Sequence, residues 1–255
     1  MKKLLIILIC SLLIDKSKAQ ILFENNEVLA CTLEMPIKTV IRDLDERDQH
    51  KAKFWYENEQ GNAEIHEMKV EVRGNNRSNP NVCGFPPLKL DFKKKKVAGT
   101  LMHGQNKLKL VTHCNRSRRE TDYLLQEYYV YKMYEIITPY SLKTRLCQIT
   151  YNDSNEEEDP FTRYGILIED IDDLADRHYA KETEDSILNQ AICDQVQLDN
   201  FIFFQYLIGN HDWSVPYMHN VKMIKKSDQA KPIPIPYDFD YAGIVEKPYA
   251  APPEN

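Results

Sequence analysis

The sequence predicts an α+β chain in two lobes: a β-rich first lobe carrying one long helix, and a mostly helical second lobe. Three observations lead there. From Gln20 to about Leu110, short stretches with partial apolar alternation are separated by Gly, Asn and Pro. A helical periodicity then runs over about 118–137, and another over about 194–208. Finally, 255 residues with 42% hydrophobic content are enough to bury the core of one large domain or two lobes.

Composition narrows the function. Thirty-three basic against 39 acidic residues give a formal charge of −6, which argues against a nucleic-acid binder. The eight glycines form neither GxGxxG nor GxxxxGK[ST], so a standard dinucleotide fold or P-loop is not expected.

Lys2 and Lys3 precede a mostly apolar run from Leu4 to Ile14, and Ser17-Lys18-Ala19 places small residues at the −3 and −1 positions. Residues 1–19 therefore read as a secretory signal peptide cleaved after Ala19, giving a secreted or periplasmic product. The run is too short to span a bilayer, and no other stretch qualifies as transmembrane. Removal leaves Cys31, Cys83, Cys114, Cys147 and Cys193. Export permits one or two disulfides among these five, with pairing left open. No CxxC pair or zinc-ligand spacing is present.

Strand candidates in the first part are Thr39–Ile41, Lys53–Tyr56, Met68–Arg73, Leu88–Phe92 and the alternating Lys107–Val111. Lys93 to Lys96 reads as a solvated hairpin end. Ser117 and Glu120 fit a capping box at the start of the long helix, which should stop at Thr138-Pro139. Leu124, Glu127, Tyr128 and Tyr131 fall on one helix face, so Glu127 is a carboxylate in an apolar stripe that calls for a cationic partner. Arg145–Tyr151 reads as a connecting strand and Asn155–Asp159 as an acidic loop. Tyr164–Glu169 is a compact apolar strand leading into a helical segment at 170–181. The helix over about Asp194–Ile208 ends at Gly209 as a C-cap. A strand at Asn220–Ile224 and a Pro-rich entry at 233–236 complete the chain's elements.

Polar chemistry concentrates in Gly209-Asn210-His211-Asp212, His219-Asn220 and Asp238-Phe239-Asp240. That order supplies the parts of phosphoryl transfer: a carboxylate to orient the attacking hydroxyl and accept its proton, then an amide and a carboxylate to hold Mg²⁺ on the phosphates. Upstream, a strand lysine, Lys107 or Lys109, leads into the helix bearing Glu127. A strand Lys paired to a helix Glu anchors ATP phosphates in kinase-like proteins. His211 and His219 match no standard metal-ligand set. Trp213 and the helix tyrosines read as packing rather than a sugar platform.

Three segments resemble the atypical kinases related to spore coat protein H. They are Lys107–Leu110 with Tyr123–Tyr131, Tyr164–Asp172 followed by Arg177, and Ile208–Asp212 with His219-Asn220 and Asp238–Asp240. The resemblance covers roughly Phe85 to Ala242. It implies a protein-kinase-like fold, with an N-lobe at 85–165 and a C-lobe at 166–255, preceded by a β-rich extension at 20–84. Asp212 would be the catalytic base, Asn220 a metal ligand, Asp238 the main metal-binding Asp and Asp240 its helper. Glu127 would pair with Lys107 or Lys109, and Glu169 would lie near the hinge bordering the adenine pocket. The cofactors implied are ATP and Mg²⁺. The acceptor would be a hydroxyl of a protein or cell-surface molecule, and the chain an exported bacterial member of that family. The eight positions between Asp212 and Asn220, against about five in a typical kinase loop, require an inserted loop at Ser214-Val215-Pro216. The alternative is a kinase-shaped exported scaffold without turnover, which gains weight because ATP is scarce outside the cytoplasm.

Overall fold

A computed structural model describes residues 21–43, 47–74, 76–183, 190–228 and 230–250. The expected signal peptide lies outside them. Two compact units are present, the first formed by 1–114 with 145–167 and the second by 115–144 with 168–255.

The first unit is a closed barrel. Its strands are β1 (Leu29–Met35), β2 (His50–Glu57), β3 (Ala63–Val72), β4 (Leu88–Asp91), β5 (Lys107–Val111), β6 (Thr144–Asp153) and β7 (Phe161–Ile168), in the order β1-β2-β3-β4-β5-β7-β6. Successive side chains alternate across a strand, and here one set points inward. Leu33, Phe54, Val70, Leu88, Leu110, Ile149 and Tyr151 are all buried at 1% exposure or less. β1 runs antiparallel to β2 and parallel to β6, and that parallel pair closes the ring. Three of the seven strands come from the segment expected as an N-terminal extension. Phe85 and Cys114 form a lone antiparallel bridge, and a Cys83–Cys114 disulfide sits beside it.

Short helices flank β1: α1 (Ile21–Glu24) and α2 (Ile37–Arg42). The strand expected at Thr39–Ile41 lies in α2. Its β-branched residues favour strand locally, but Ile37 and Val40, three apart, both bury on one helix face. Asp153 then accepts the Ile37 N–H at 3.0 Å, satisfying a donor that the helix start leaves unpaired. Lys93 to Lys96 are exposed, as a solvated turn requires.

Gly165 marks a close approach inside the barrel wall. A Cβ there would stand 2.7 Å from Ile149 Cδ1, 2.9 Å from Leu110 Cδ1 and 3.2 Å from the Val111 carbonyl oxygen. Gly165→Ala should therefore cost about 1–3 kcal/mol through overpacking, read as a lowered urea midpoint. An unchanged midpoint would mean that the strand crossing is loose.

The second unit holds α3 (Arg119–Ile137), α4 (Ile171–Arg177) and α5 (Gln195–Leu207). A three-stranded sheet accompanies them: β8 (Lys181–Glu182), β9 (Val221–Lys225) and β10 (Ile233–Pro236), in the order β10-β9-β8. The Pro-rich entry is thus itself a strand. β10 lies at the sheet edge, where Pro234 and Pro236, sharing one parity, need donate nothing to β9. α3 ends with Thr138 extended before Pro139, as its sequence requires. The capping box does not form. Ser117 Oγ accepts from the Arg119 N–H at 3.3 Å, while the Glu120 carboxylate takes the buried Lys247 ammonium at 2.7 Å, a stronger partner than a backbone amide. α5 ends as expected, with Gly209 in the left-handed region at φ +64°, and it starts on a cap that the sequence reading did not name, Asp194 accepting the Gln197 N–H.

The predicted fold class is corrected by this architecture. In place of a two-lobed kinase fold with a mostly helical second lobe, the structure has a closed seven-stranded barrel and a mixed helix-and-sheet unit. Only five α-helices occur among the described residues, two of them in the barrel unit. The long helix belongs to the second unit rather than to the β-rich one. None of these helices is long and apolar enough to cross a membrane.

Candidate functional site

Asp212, Asn220, Asp238 and Asp240 all lie in the second unit and are drawn together by backbone bonds. α5 delivers the first of them. Beyond Gly209, the buried Asn210 side chain donates to Gln205 Oε1 at 2.9 Å, and its own Oδ1 accepts the Asp212 N–H at 3.1 Å. The Asn210 carbonyl accepts from Trp213 Nε1 at 3.1 Å, so Trp213 supports the turn instead of offering a binding platform.

The expected inserted loop is a tight hairpin. Ser214 and His219 exchange both backbone bonds, at 3.0 and 2.9 Å, around Val215–Met218. This fold-back returns the chain so that Asn220 meets Asp212 despite their separation in sequence. Asn220 Nδ2 donates to the Asp212 carbonyl at 2.8 Å and to Asp212 Oδ2 at 2.9 Å. His219 Nε2 lies 2.8 Å from Asp212 Oδ1. Both carboxylate oxygens are therefore oriented, one by an amide and one by an imidazole.

Asp238 is tied to the same place. The Tyr237 N–H donates to the Asn220 carbonyl at 3.1 Å, and the Asp238 N–H donates to the Tyr131 hydroxyl at 2.9 Å. Asn220 and Asp238 both occupy the left-handed region, at φ +50° and +62°. Asn and Asp tolerate that region better than other side-chain-bearing residues, but it still carries strain that the surroundings must hold. Further on, Gly243 N–H donates to the Gly209 carbonyl and Ile244 N–H to the Ile208 carbonyl, each at 3.1 Å. The end of α5 and the segment after Asp240 are thereby joined backbone to backbone. A Cβ on Gly243 would stand 3.3 Å from the Gly209 oxygen.

Asp240 is buried and its Oδ2 accepts from the Tyr249 hydroxyl at 2.8 Å. The Tyr241 hydroxyl is pushed above the ordinary tyrosine range by burial and then by the charges of Asp240, Asp212 and Asp238, so all three carboxylates act on one phenol. Among the described residues, no three His, Cys, Asp or Glu side chains form a group that could hold a metal ion.

The remaining site candidates are placed as follows. Glu127 is 1% exposed on α3, one turn before Tyr131, which anchors Asp238. Lys107 and Lys109 lie in the barrel unit, on the outward side of β5, where Lys109 faces Lys89 across the strand pair. Glu169, expected near the hinge bordering an adenine pocket, follows β7 and pairs with Arg177 at the end of α4. It is fully buried, accepts from Arg177 Nε at 2.9 Å and Nη2 at 3.2 Å, and takes the Lys143 N–H at 2.9 Å. Burial raises its carboxyl above the usual range despite the opposing pull of Arg177.

Sequence reading missed Tyr131, Gly243, Lys247 and Tyr249. Tyr131 was absorbed into an apolar stripe, where its ring does pack at 4.7 Å from Phe239 while its hydroxyl serves Asp238. Gly243 had a signal: a glycine just past Asp238–Asp240, in a chain with so few, marks a close approach. No protein-family model matches the chain, and no curated protein matches it significantly in sequence.

Proposed function

We propose that this chain transfers the γ-phosphoryl group of ATP, with Mg²⁺, to a hydroxyl of a protein or cell-surface molecule. The observation that carries the reading is the linkage of Asp212 to Asn220, and of Asn220 through the Tyr237 N–H to the segment bearing Asp238, within one unit. Support comes from the second unit's residues and from the sequence resemblance to spore-coat-protein-H-like kinases, and owes nothing to the overall fold.

Asp212 is the base. Held by His219 and Asn220, its carboxylate orients the acceptor hydroxyl and takes its proton as the new phosphorus–oxygen bond forms and the bond to the β–γ bridging oxygen breaks, releasing ADP. Asn220 spends its amide nitrogen on Asp212, which leaves the amide oxygen as its hard donor. With Asp238 it offers an oxygen set that suits Mg²⁺, a cation that takes one or two carboxylates, keeps several waters and completes its shell with substrate phosphates. Bound Mg²⁺ would neutralise charge on the phosphates. Asp240, held by Tyr249, supports the Asp238 segment.

A second reading, an exported scaffold without turnover, draws on the commitment of Asp240 to Tyr249 and of Glu169 to Arg177. Calorimetric titration of ATP into the chain separates the two. The kinase reading expects binding that requires Mg²⁺ and is lost in Asp238→Ala. A folded chain that ignores millimolar ATP belongs to the scaffold reading.

A further inference from the structure

The barrel closes at one seam, where β1 pairs with β6, and each strand brings a cysteine to it. The register sets Leu29 opposite Cys147 and Cys31 opposite Ile149, so the two cysteines are diagonal neighbours on adjacent strands. A two-residue offset keeps both on the same face of the sheet, and that face is the interior: Cys31 is 6% exposed and Cys147 fully buried. Both are free thiols within the barrel core, and Cys147 Sγ donates to the Arg145 carbonyl at 3.8 Å. Neighbouring strands run about 4.8 Å apart and a two-residue offset leaves the two Cα atoms about 7–8 Å apart, so a disulfide there draws the two strands slightly together.

We infer that Cys31 and Cys147 are a cross-linking site that forms a second disulfide when the chain folds under oxidising conditions, locking β1 to β6 across the barrel seam. The reaction needs a disulfide oxidant, for which oxidised glutathione serves. One cysteine thiolate attacks it, releasing one glutathione and forming a mixed disulfide. The second cysteine thiolate then displaces the other glutathione. Two cysteine thiols are oxidised, one glutathione disulfide is reduced to two thiols, and the protons pass to solvent.

Timing follows from the surroundings. Burial and the neighbouring thiol disfavour the Cys31 thiolate in the finished barrel, and such a thiol reacts slowly. The bond therefore forms before the seam has closed, while both strands are still accessible. Cys83 and Cys114 are already joined, and Cys193 packs in the core of the second unit with Leu198, Phe201 and Met223. The five cysteines of the described chain thus resolve into two bridges and one buried thiol.

The test is refolding of the full chain from denaturant in a mixture of reduced and oxidised glutathione. Remaining thiols are then alkylated, and the non-reduced peptides are mapped by mass spectrometry. The expected map joins Cys31 to Cys147 and Cys83 to Cys114, with alkylation confined to Cys193 and, where residues 1–19 are present, Cys10. In a Cys83→Ala/Cys114→Ala variant, oxidation should still raise the urea midpoint, by an amount lost when Cys31→Ala and Cys147→Ala are added. Alkylation of both Cys31 and Cys147 in the refolded wild-type chain overturns the inference, as does either of them joined to another cysteine. The peptide map decides the matter even where a variant fails to fold.

Discussion

Replacing Asp212 by Asn should lower turnover on a hydroxyl acceptor by about 10²–10⁴-fold, the usual contribution of a positioned general base, while ATP binding stays nearly unchanged. The substitution keeps size and shape but removes the basic carboxylate. Asp212 is not proposed as a phosphate or metal ligand, since its oxygens are turned to His219 and Asn220. Loss should thus fall on kcat with little change in the KM for ATP. A wild-type kcat in the variant would reduce Asp212 to the turn residue that its place after α5 also allows. Equal loss of ATP binding would instead assign it to the nucleotide site.

The largest stability effect should come from Arg177→Met. Glu169 has no exposure, and its nearest cation is the Arg177 guanidinium, bonded to both carboxylate oxygens. Arg177 also donates to the Pro139 carbonyl at 2.9 Å and to the Ser141 carbonyl, so it ties the α3–β6 connection to α4. Removing one partner of a buried pair strands the other in a low-dielectric interior, at a cost of about 3–5 kcal/mol. Adding Glu169→Gln removes the stranded charge, so the double variant should be more stable than Arg177→Met alone. Urea unfolding measures both. A loss below about 1 kcal/mol, the range of exposed pairs, would show that water reaches Glu169.

Much of the local structure was legible because each element repeats its own period. The alternation in Lys53–Tyr56, Met68–Arg73 and Lys107–Val111 survives as barrel strands, since inward residues every second position are what a closed sheet demands. Helix α3 was legible from its stripe and its terminal Thr-Pro. Closure of the barrel was not. It depends on β1 finding β6 and β5 finding β7, pairings between segments distant in sequence that no local pattern encodes. Arg145–Tyr151, read as a connector, is the strand that closes the ring. The fold-class error follows from that one missing pairing and from taking α3 as part of the β-rich lobe.

The candidate site was legible in its carboxylates and amide, because Asp212, Asn220 and Asp238 follow a helix end and flank a strand in an order with chemical meaning. Its supports were hidden. Tyr131 comes from a position far from the site in sequence and reads locally as apolar packing, while Lys247, close to Asp240 in sequence, reads as solvated until the fold brings Glu120 to it. The partner of Glu169 was hidden too, since only the fold brings Arg177 from α4 onto the end of β7.

The central claim is that Asn220 and Asp238 together hold the metal that accompanies ATP. Mn²⁺ in place of Mg²⁺ tests it, since this paramagnetic ion broadens the NMR signals of nearby nuclei. With Mn²⁺ and ATP both present, the backbone amide signals of Asn220 and Asp238 should vanish ahead of all others, and they should persist when either component is omitted. Broadening centred elsewhere in the chain, or unchanged by ATP, would contradict the account.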